Sequence, residues 1–471
     1  MLNQTLQEKY PHLEISVLKL SEVQKDNESK RIDSEFFKKE YFDVMETMQL
    51  NQVEYLGDNM KFNSRYSQPK YDETSKIKVI NSQYIRNEYI DYENAKSGYG
   101  KIVPKESVLI NATGVGTLGR VFINILDFDF SIDSHINVIV VKNKTYLNPY
   151  FLAIFLQSYY GQIQIIRYYS GTSGQIEIYP RDFNYFKIPI FPMEFQLEIQ
   201  NLVKDSHKAL EESKELYKKA EETLYLELGL DPKNPLQSLL DSKTNNPTNS
   251  PNISIHTLKE SFLKTGRLDS EYYQSKYEDI EKFIKSYPNG YDSFSSIINN
   301  KDTNFTPKNN ENYSYIELAN IGNNGNISEP ISDLGKNLPT RARRIVSKGD
   351  VIISSIEGSL SSCALITQEF DKHLVSTGFF VLNSKLLNGE TLLVMFKSQI
   401  FQEYLKKFPS GTILCAINKE ELSKILIPKI DSTTQEKIAK YIQESFNLRK
   451  KSKQLLDNAK IKVEEQIQGK I

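Results

Sequence analysis

Arg31-Ile32-Asp33-Ser34-Glu35-Phe36-Phe37 returns later in the chain as Arg267-Leu268-Asp269-Ser270-Glu271-Tyr272-Tyr273. Four more matches keep the same order. Ile15-Ser16-Val17 with Leu20 returns as Ile253-Ser254-Ile255 with Leu258. Ser170-Gly171-Thr172 returns as Ser410-Gly411-Thr412, and Ile188-Pro189 with Gln196 and Ile199 as Ile427-Pro428 with Gln435 and Ile438. More weakly, Ile102-Val103-Pro104-Lys105 and Val108-Leu109-Ile110 match Ile345-Val346-Ser347-Lys348 and Val351-Ile352-Ile353. The offsets stay between 236 and 243, so small loop insertions separate two copies running from about 15 to 228 and 253 to 467. A period that long implies duplicated domains rather than a solenoid.

Each copy has the same anatomy. A mixed, turn-rich region comes first, with β-branched runs such as Val108-Leu109-Ile110 and Val138-Ile139-Val140-Val141 that read as strands. After Ile188-Pro189 and Ile427-Pro428 the pattern turns helical. Ile199, Val203, Ser206, Leu210, Ser213, Tyr217, Ala220 and Leu224 step by four and three, the spacing of a coiled-coil seam. The second copy gives Ile438, Ile442, Ser445, Arg449, Ser452, Leu456, Ala459 and Val463. Some thirty-three helical residues would span roughly 50 Å. From Pro189 to Leu230 nine acids face five bases, and from Asp431 to Ile471 six acids face nine bases. Opposite signs favour mutual pairing of the two helices over two solvated helices each lying on its own domain.

The expected fold is therefore α+β: two duplicated mixed α/β domains, each followed by a long helix, with the helices paired as an antiparallel coiled coil. The expected boundaries are 1–188 for the first domain, 189–230 for the first helix, 231–252 for a linker, 253–427 for the second domain and 428–471 for the second helix. Gly229-Leu230-Asp231-Pro232 would stop the first helix, and Ser242 to Asn252 is rich in Asn, Thr, Ser and Pro.

Composition bounds the rest. With 471 residues, 39% hydrophobic and 25% charged, the chain is ordinary globular protein. No apolar run approaches about 18 residues, so no membrane helix is expected, and Met1 to Pro11 is too polar for a signal peptide. Two cysteines, Cys363 and Cys415, exclude a disulfide framework and fit a cytoplasmic protein. Taken at face value, a net charge of −1 argues against a nucleic-acid binder. That total conceals an uneven spread, because Ser21 to Met60 holds ten acids and five bases while Lys61 to Arg120 holds six acids and ten bases.

Catalytic signatures are missing. Gly114-Val115-Gly116-Thr117-Leu118-Gly119 imitates a dinucleotide loop, yet Arg120-Val121-Phe122-Ile123 after it alternates like a strand, so the segment reads as a hairpin turn. The second copy has only Glu357-Gly358-Ser359-Leu360-Ser361-Ser362 there. Gly171-Thr172-Ser173-Gly174 is one residue short of a nucleophile elbow. The five histidines are scattered without metal-ligand spacing.

Binding remains. Arg65, Lys70, Lys76, Lys78 and Arg86 are interleaved with tyrosines, and Arg341, Arg343, Arg344 and Lys348 crowd before the strand at Val351. Lys and Arg neutralise phosphate, whereas Arg, Gln, Ser and Thr reach base edges. A solvated charged face would account for each cluster alone; equivalent placement before the same strand in both copies favours a DNA surface. Thr113, Thr117, Arg120, Ser170, Thr172, Ser173 and Gln175 complete the first candidate surface. Ser359, Ser361, Ser410 and Thr412 complete the second.

In this duplicated order, the Ser-Gly-Thr, Ile-Pro and Gln motifs followed by a long helix resemble the specificity subunit of a type I restriction–modification enzyme. The resemblance covers essentially the whole chain. It implies two target recognition domains reading a split sequence in double-stranded DNA, an antiparallel spacer, and no catalysis by this chain. It also implies two methyltransferase (modification) subunits with S-adenosylmethionine, and restriction/translocase subunits using ATP and Mg. A duplicated-domain scaffold in a related defence complex, without base readout, is the alternative. On this reading the chain alone binds DNA weakly.

Overall fold

The computed structural model describes residues 2–15, 17–25, 27, 30–171, 174–241, 255–411 and 415–470. Contacts divide the chain into two units, Met1–Leu210 with Lys450–Ile471, and Glu211–Arg449. Of the expected linker at 231–252, Pro235–Asp241 is instead a helix whose Leu239 packs into the core of the second unit, and residues 242–252 lie outside the described residues, as do three candidate contact residues, Thr172, Ser173 and Thr412.

In the first unit, strands at 60–65, 136–141, 108–111 and 121–123 lie in that order as an antiparallel sheet. The run Val108-Leu109-Ile110 is apolar throughout because both sheet faces are covered. Val108, Ile110, Val121 and Ile139 join a core with the helices Pro149–Gln157 and Tyr159–Tyr168. Leu109, Phe122 and Val138 point the other way, into a core with Ile80, Phe130 and Ile132. Those last residues belong to a second sheet, ordered 70–71, 96–99, 78–80 and 130–132, whose last two strands are parallel.

The second unit repeats the first sheet strand for strand, while its other sheet has its extra edge strand on the opposite side, 342–345 beside 374–376 instead of 70–71 beside 96–99. Strands at 298–300, 379–384, 351–354 and 363–365 form one sheet, and 331–334, 312–316, 374–376 and 342–345 the other. Its parallel pair, 312–316 with 374–376, occupies the same place as 78–80 with 130–132. Val351 and Ile353 face one core and Ile352 the other, the alternation a strand requires. Each unit also has a two-stranded ribbon that brings the Ile-Pro motif beside an earlier strand, 53–55 with 187–189 and 291–293 with 426–428. Ile188 and Ile427 are fully buried there.

The long helices are Met193–Glu227 and Ser432–Ile467. Gln196 and Gln435 each occupy the fourth position and are buried. Gln196 Oε1 accepts from the Asn148 backbone N–H at 2.8 Å, while its Nε2 donates to the carbonyls of Tyr146 (3.0 Å) and Phe191 (2.8 Å). Gln435 does the same with Asn388 N–H (2.9 Å), Leu386 O (3.1 Å) and Ile430 O (2.9 Å). Asn148 and Asn388 are in turn the N-caps of Pro149–Gln157 and Gly389–Lys397.

The helices pair antiparallel within each unit. In the first, Ile199 and Val203 share a core with Leu456, Ala459, Val463 and Ile467. In the second, Tyr217, Ala220 and Leu224 share one with Ile438 and Ile442. Leu210 is buried as well. The serines of the heptad pattern meet across the seam: Ser206 Oγ lies 2.9 Å from Ser452 Oγ, and Ser213 Oγ lies 3.0 Å from Ser445 Oγ. Seven residues forward on one helix thus meet seven back on the other. An acidic and a basic side chain pair at Glu198 and Lys462, 2.8 Å apart. Both helices end at a left-handed glycine, with Leu230 N–H bonded to Tyr225 O (2.8 Å) after Gly229 and Lys470 N–H to Glu465 O (3.0 Å) after Gly469. Among the described residues, no helix is long and apolar enough to cross a membrane.

Replacing Gln196 by Ala strands one buried N–H and two carbonyls. A loss of roughly 2–4 kcal/mol is expected in denaturant unfolding. A loss near zero would mean that water replaces the amide without cost.

Candidate nucleic-acid interface

The glycine turn closes a hairpin. Strands 108–111 and 121–123 pair antiparallel, and Gly114, Gly116 and Gly119 between them adopt positive φ of +92°, +80° and +82°. No helix follows, so the loop is not built to seat a pyrophosphate on a helix N-terminus. Thr117 Oγ1 donates to Thr113 O (2.9 Å), and Thr113 Oγ1 sits 3.0 Å from His135 Nδ1.

The Ser-Gly loop lies directly beside this turn. Ser170 and Glu177 exchange two backbone bonds of 2.8 Å, which closes the loop into a narrow hairpin. Gly171 (φ +110°) is required, because a Cβ there would sit 2.1 Å from Gln175 O. Gly114 N–H bonds to Ile176 O (3.0 Å) and Ile178 N–H to Ala112 O (3.0 Å), joining loop and turn. The second unit builds the same junction with different side chains. Ser410 pairs with Ala416 (3.0 and 3.1 Å), Glu357 N–H reaches Cys415 O (3.0 Å), and Ile417 N–H reaches Ser355 O (2.8 Å). Since backbone groups make the junction, the missing glycines of the second copy do not prevent it.

Two arginines converge on the first turn. Arg120 donates to Gly116 O (2.7 Å) and Ile85 O (3.3 Å), and Arg86 donates to the same Ile85 carbonyl at 3.1 Å. Burial, and then the positive charge of Arg86, push the Arg120 guanidinium below its ordinary pKa. Among the described residues neither arginine has a carboxylate partner, so two neighbouring positive charges face carbonyls only. An anion placed there would relieve that repulsion.

The remaining candidate residues are distributed as follows. Arg65 is turned inward, donating to Glu177 Oε1 and Ile178 O and lying 5.7 Å from the Tyr179 ring, so it bolts its strand to the loop. Arg344 is likewise drawn inward onto Phe379 O. Lys70 and Lys78 lie on the second sheet of the first unit, and Lys76 just before Lys78. Lys70 and Lys76 are exposed. Arg341, Arg343 and Lys348 are exposed at or near the edge strand Ala342–Ile345. Gln175 is exposed in the loop, and Ser359 Oγ meets Ser354 Oγ at 2.8 Å. Lys397, which no sequence pattern singles out, donates to Ser361 O at 2.9 Å beside the second turn. Burial lowers its pKa.

Behind each loop sits the repeated Arg-x-Asp motif. Arg31 forks onto Asp33 (2.7 and 2.7 Å) and donates to the carbonyls of Arg167 (3.1 Å) and Tyr169 (2.7 Å). Arg267 forks onto Asp269 (2.5 and 3.0 Å) and donates to Phe408 O (3.4 Å) and Pro409 O (2.9 Å). The arginine hydrogen bonds hold both carboxyls below their ordinary pKa. A lowered carboxyl pKa stabilises the fold above the unfolded value, and that stability is lost as pH falls through the folded value. The stability gap between the wild type and Asp33→Asn should therefore be full at neutral pH and close in acid. Denaturant unfolding at both pH values checks this; a gap of constant size would refute it.

Residues 17–222 match the family model described as type I restriction modification DNA specificity domain. A 129-residue stretch is 29% identical to the type I restriction enzyme HindI specificity subunit of Haemophilus influenzae, covering 26% of this chain and 28% of that relative. Among solved structures, the S subunit of the type I restriction–modification system from M. genitalium aligns over 89% of this chain and 95% of its own. Its identity is 13% and its TM-score 0.41. The HsdS subunit from Thermoanaerobacter tengcongensis aligns over 89% and 97% at 14% identity, with a TM-score of 0.27.

Proposed function

We propose that this chain, a specificity subunit of the type I restriction–modification family, reads double-stranded DNA in two halves, one with each recognition domain. The observation that carries the reading is the junction of turn and Ser-Gly loop, built twice from equivalent backbone bonds beside the equivalent sheet of each unit. Arg86 and Arg120 supply phosphate-neutralising charge at the first junction, with Lys70, Lys76 and Lys78 on the adjoining sheet. Arg341, Arg343 and Lys348 do so in the second domain. Gln175, Ser170 and Ser410 stand where base edges would be read, and Thr113, Thr117, Ser359 and Ser361 shape the turns behind them. One domain reaches only a few base pairs, and each correct pair contributes about 1–3 kcal/mol of discrimination. Two linked domains combine those terms.

On this reading the chain performs no chemistry. Methyltransferase subunits carry S-adenosylmethionine to the bound target, and restriction subunits use ATP and Mg. Methylation mapping in a host carrying the complete system tests the proposal. A two-part motif with a fixed gap is expected; a continuous motif or none would overturn it.

Two variants probe its parts. Arg86→Ala and Arg120→Ala should each weaken DNA binding by the assembled complex across all sequences. Each should also reduce the slope of log affinity against log salt by about one. An unchanged slope would remove these residues from the interface. Inserting seven residues at matched points of both long helices keeps the seam in register and adds about 10 Å. At 3.4 Å per base pair the preferred gap should grow by about three base pairs with both half-sites unchanged. An unchanged gap in the mapped motif would contradict a spacer role.

A further inference from the structure

We propose that Arg31 and Arg267 are positioning residues for specificity, each setting the loop that reads its own half of the DNA target. The inference rests on the two-half reading above and assigns a task to the motif that most plainly marks the duplication.

Each arginine grips the main chain just before the Ser-Gly loop, at the end of a helix in the first unit and beyond the end of the helix Gln399–Leu405 in the second. The helix Tyr159–Tyr168 leaves its last carbonyls without intrahelical partners, and Arg31 Nη1 takes those of Arg167 and Tyr169. The next residue is Ser170, the first of the closed hairpin. In the second unit Arg267 takes the carbonyls of Phe408 and Pro409, and the next residue is Ser410. The aspartate fixes the guanidinium plane and also caps the following turn, accepting from Phe36 N–H (3.2 Å) and Tyr272 N–H (3.1 Å). The Phe36 and Tyr272 rings lie under the guanidiniums at 5.0 and 4.7 Å. The aspartate fork, the capped turn, the ring under the guanidinium and the carbonyl just before the loop recur in both clamps, whereas the second carbonyl differs (Arg167 in one, Phe408 in the other), and the loops they hold differ in sequence after Thr172 and Thr412.

This arrangement separates support from readout. The clamp touches only main-chain carbonyls at the loop's entry, so it holds any loop sequence in the same place. A reading loop tolerates displacements of about 0.5 Å before its hydrogen bonds to base edges degrade. A loosened clamp should therefore blur base preference in one half of the target without moving the gap or the other half.

The test is methylation mapping in the host with the complete system, comparing wild type, Arg31→Ala and Arg267→Ala. Arg31→Ala should lower discrimination against single-base changes about tenfold in one half of the motif and leave the other half as in wild type. Arg267→Ala should do the converse. If an Ala variant yields no methylation, Arg31→Lys and Arg267→Lys take its place. A lysine keeps one charge but cannot hold carboxylate and carbonyls together, so half-specific blurring is again expected. Wild-type discrimination in both halves of the Lys variants, or blurring of both halves together, would overturn the positioning role. A wild type with no two-part motif would overturn the two-half reading and this inference with it, whereas a clear motif left intact by the substitutions overturns this inference alone.

Discussion

A single buried glutamine at the base of each long helix carries the architecture. Gln196 and Gln435 each accept one backbone N–H and donate to two carbonyls, from the loop before the helix and the loop capped by Asn148 or Asn388. Three main-chain groups that would otherwise be buried unpaired are satisfied by one side chain, which makes the joint both specific and costly to break. Each joint ties the start of a long helix to the adjoining domain, beside the apolar packing of Ile199 and Val203 or Ile438 and Ile442. The Ile-Pro ribbon beside it closes the same corner with a fully buried isoleucine.

The helix seam adds a second constraint, that of register. Apolar residues at the four-and-three spacing would pair equally well one heptad along. Only one serine pair would then survive, and the other two serines would face Ile or Ala, so Ser206 with Ser452 and Ser213 with Ser445 favour one alignment at some cost in apolar contact.

Periodic and repeated features were legible in the sequence because their causes are local. The heptad spacing from Ile199 to Leu224 and the wholly apolar Val108-Leu109-Ile110 each follow from the side chains of one element. The strand after Gly119 could likewise be distinguished from a helix by alternation alone. The second sheet was not legible, since strands such as Lys70–Tyr71 and Lys78–Ile80 are too short to show a period and pair with residues far along the chain. For the same reason Arg65 could not be told apart from its exposed neighbours. Its partner Glu177 lies 112 positions away. The convergence of Arg86 and Arg120 on one carbonyl is also a product of tertiary folding. The repeated motifs were visible as repeats, but that Arg-x-Asp grips the entry to Ser-Gly emerges only when both are placed in space.

The net charge of −1 is a sum over parts with opposite tasks: an acidic helix pairs with a basic one, and arginines at the first turn face carbonyls rather than acids. On the proposed reading, the two domains bind two separate tracts of one duplex. Hydroxyl-radical footprinting of the assembled complex on a fragment carrying its target tests this most directly. Two protected tracts separated by an accessible gap are expected, whereas a single protected tract would contradict the account.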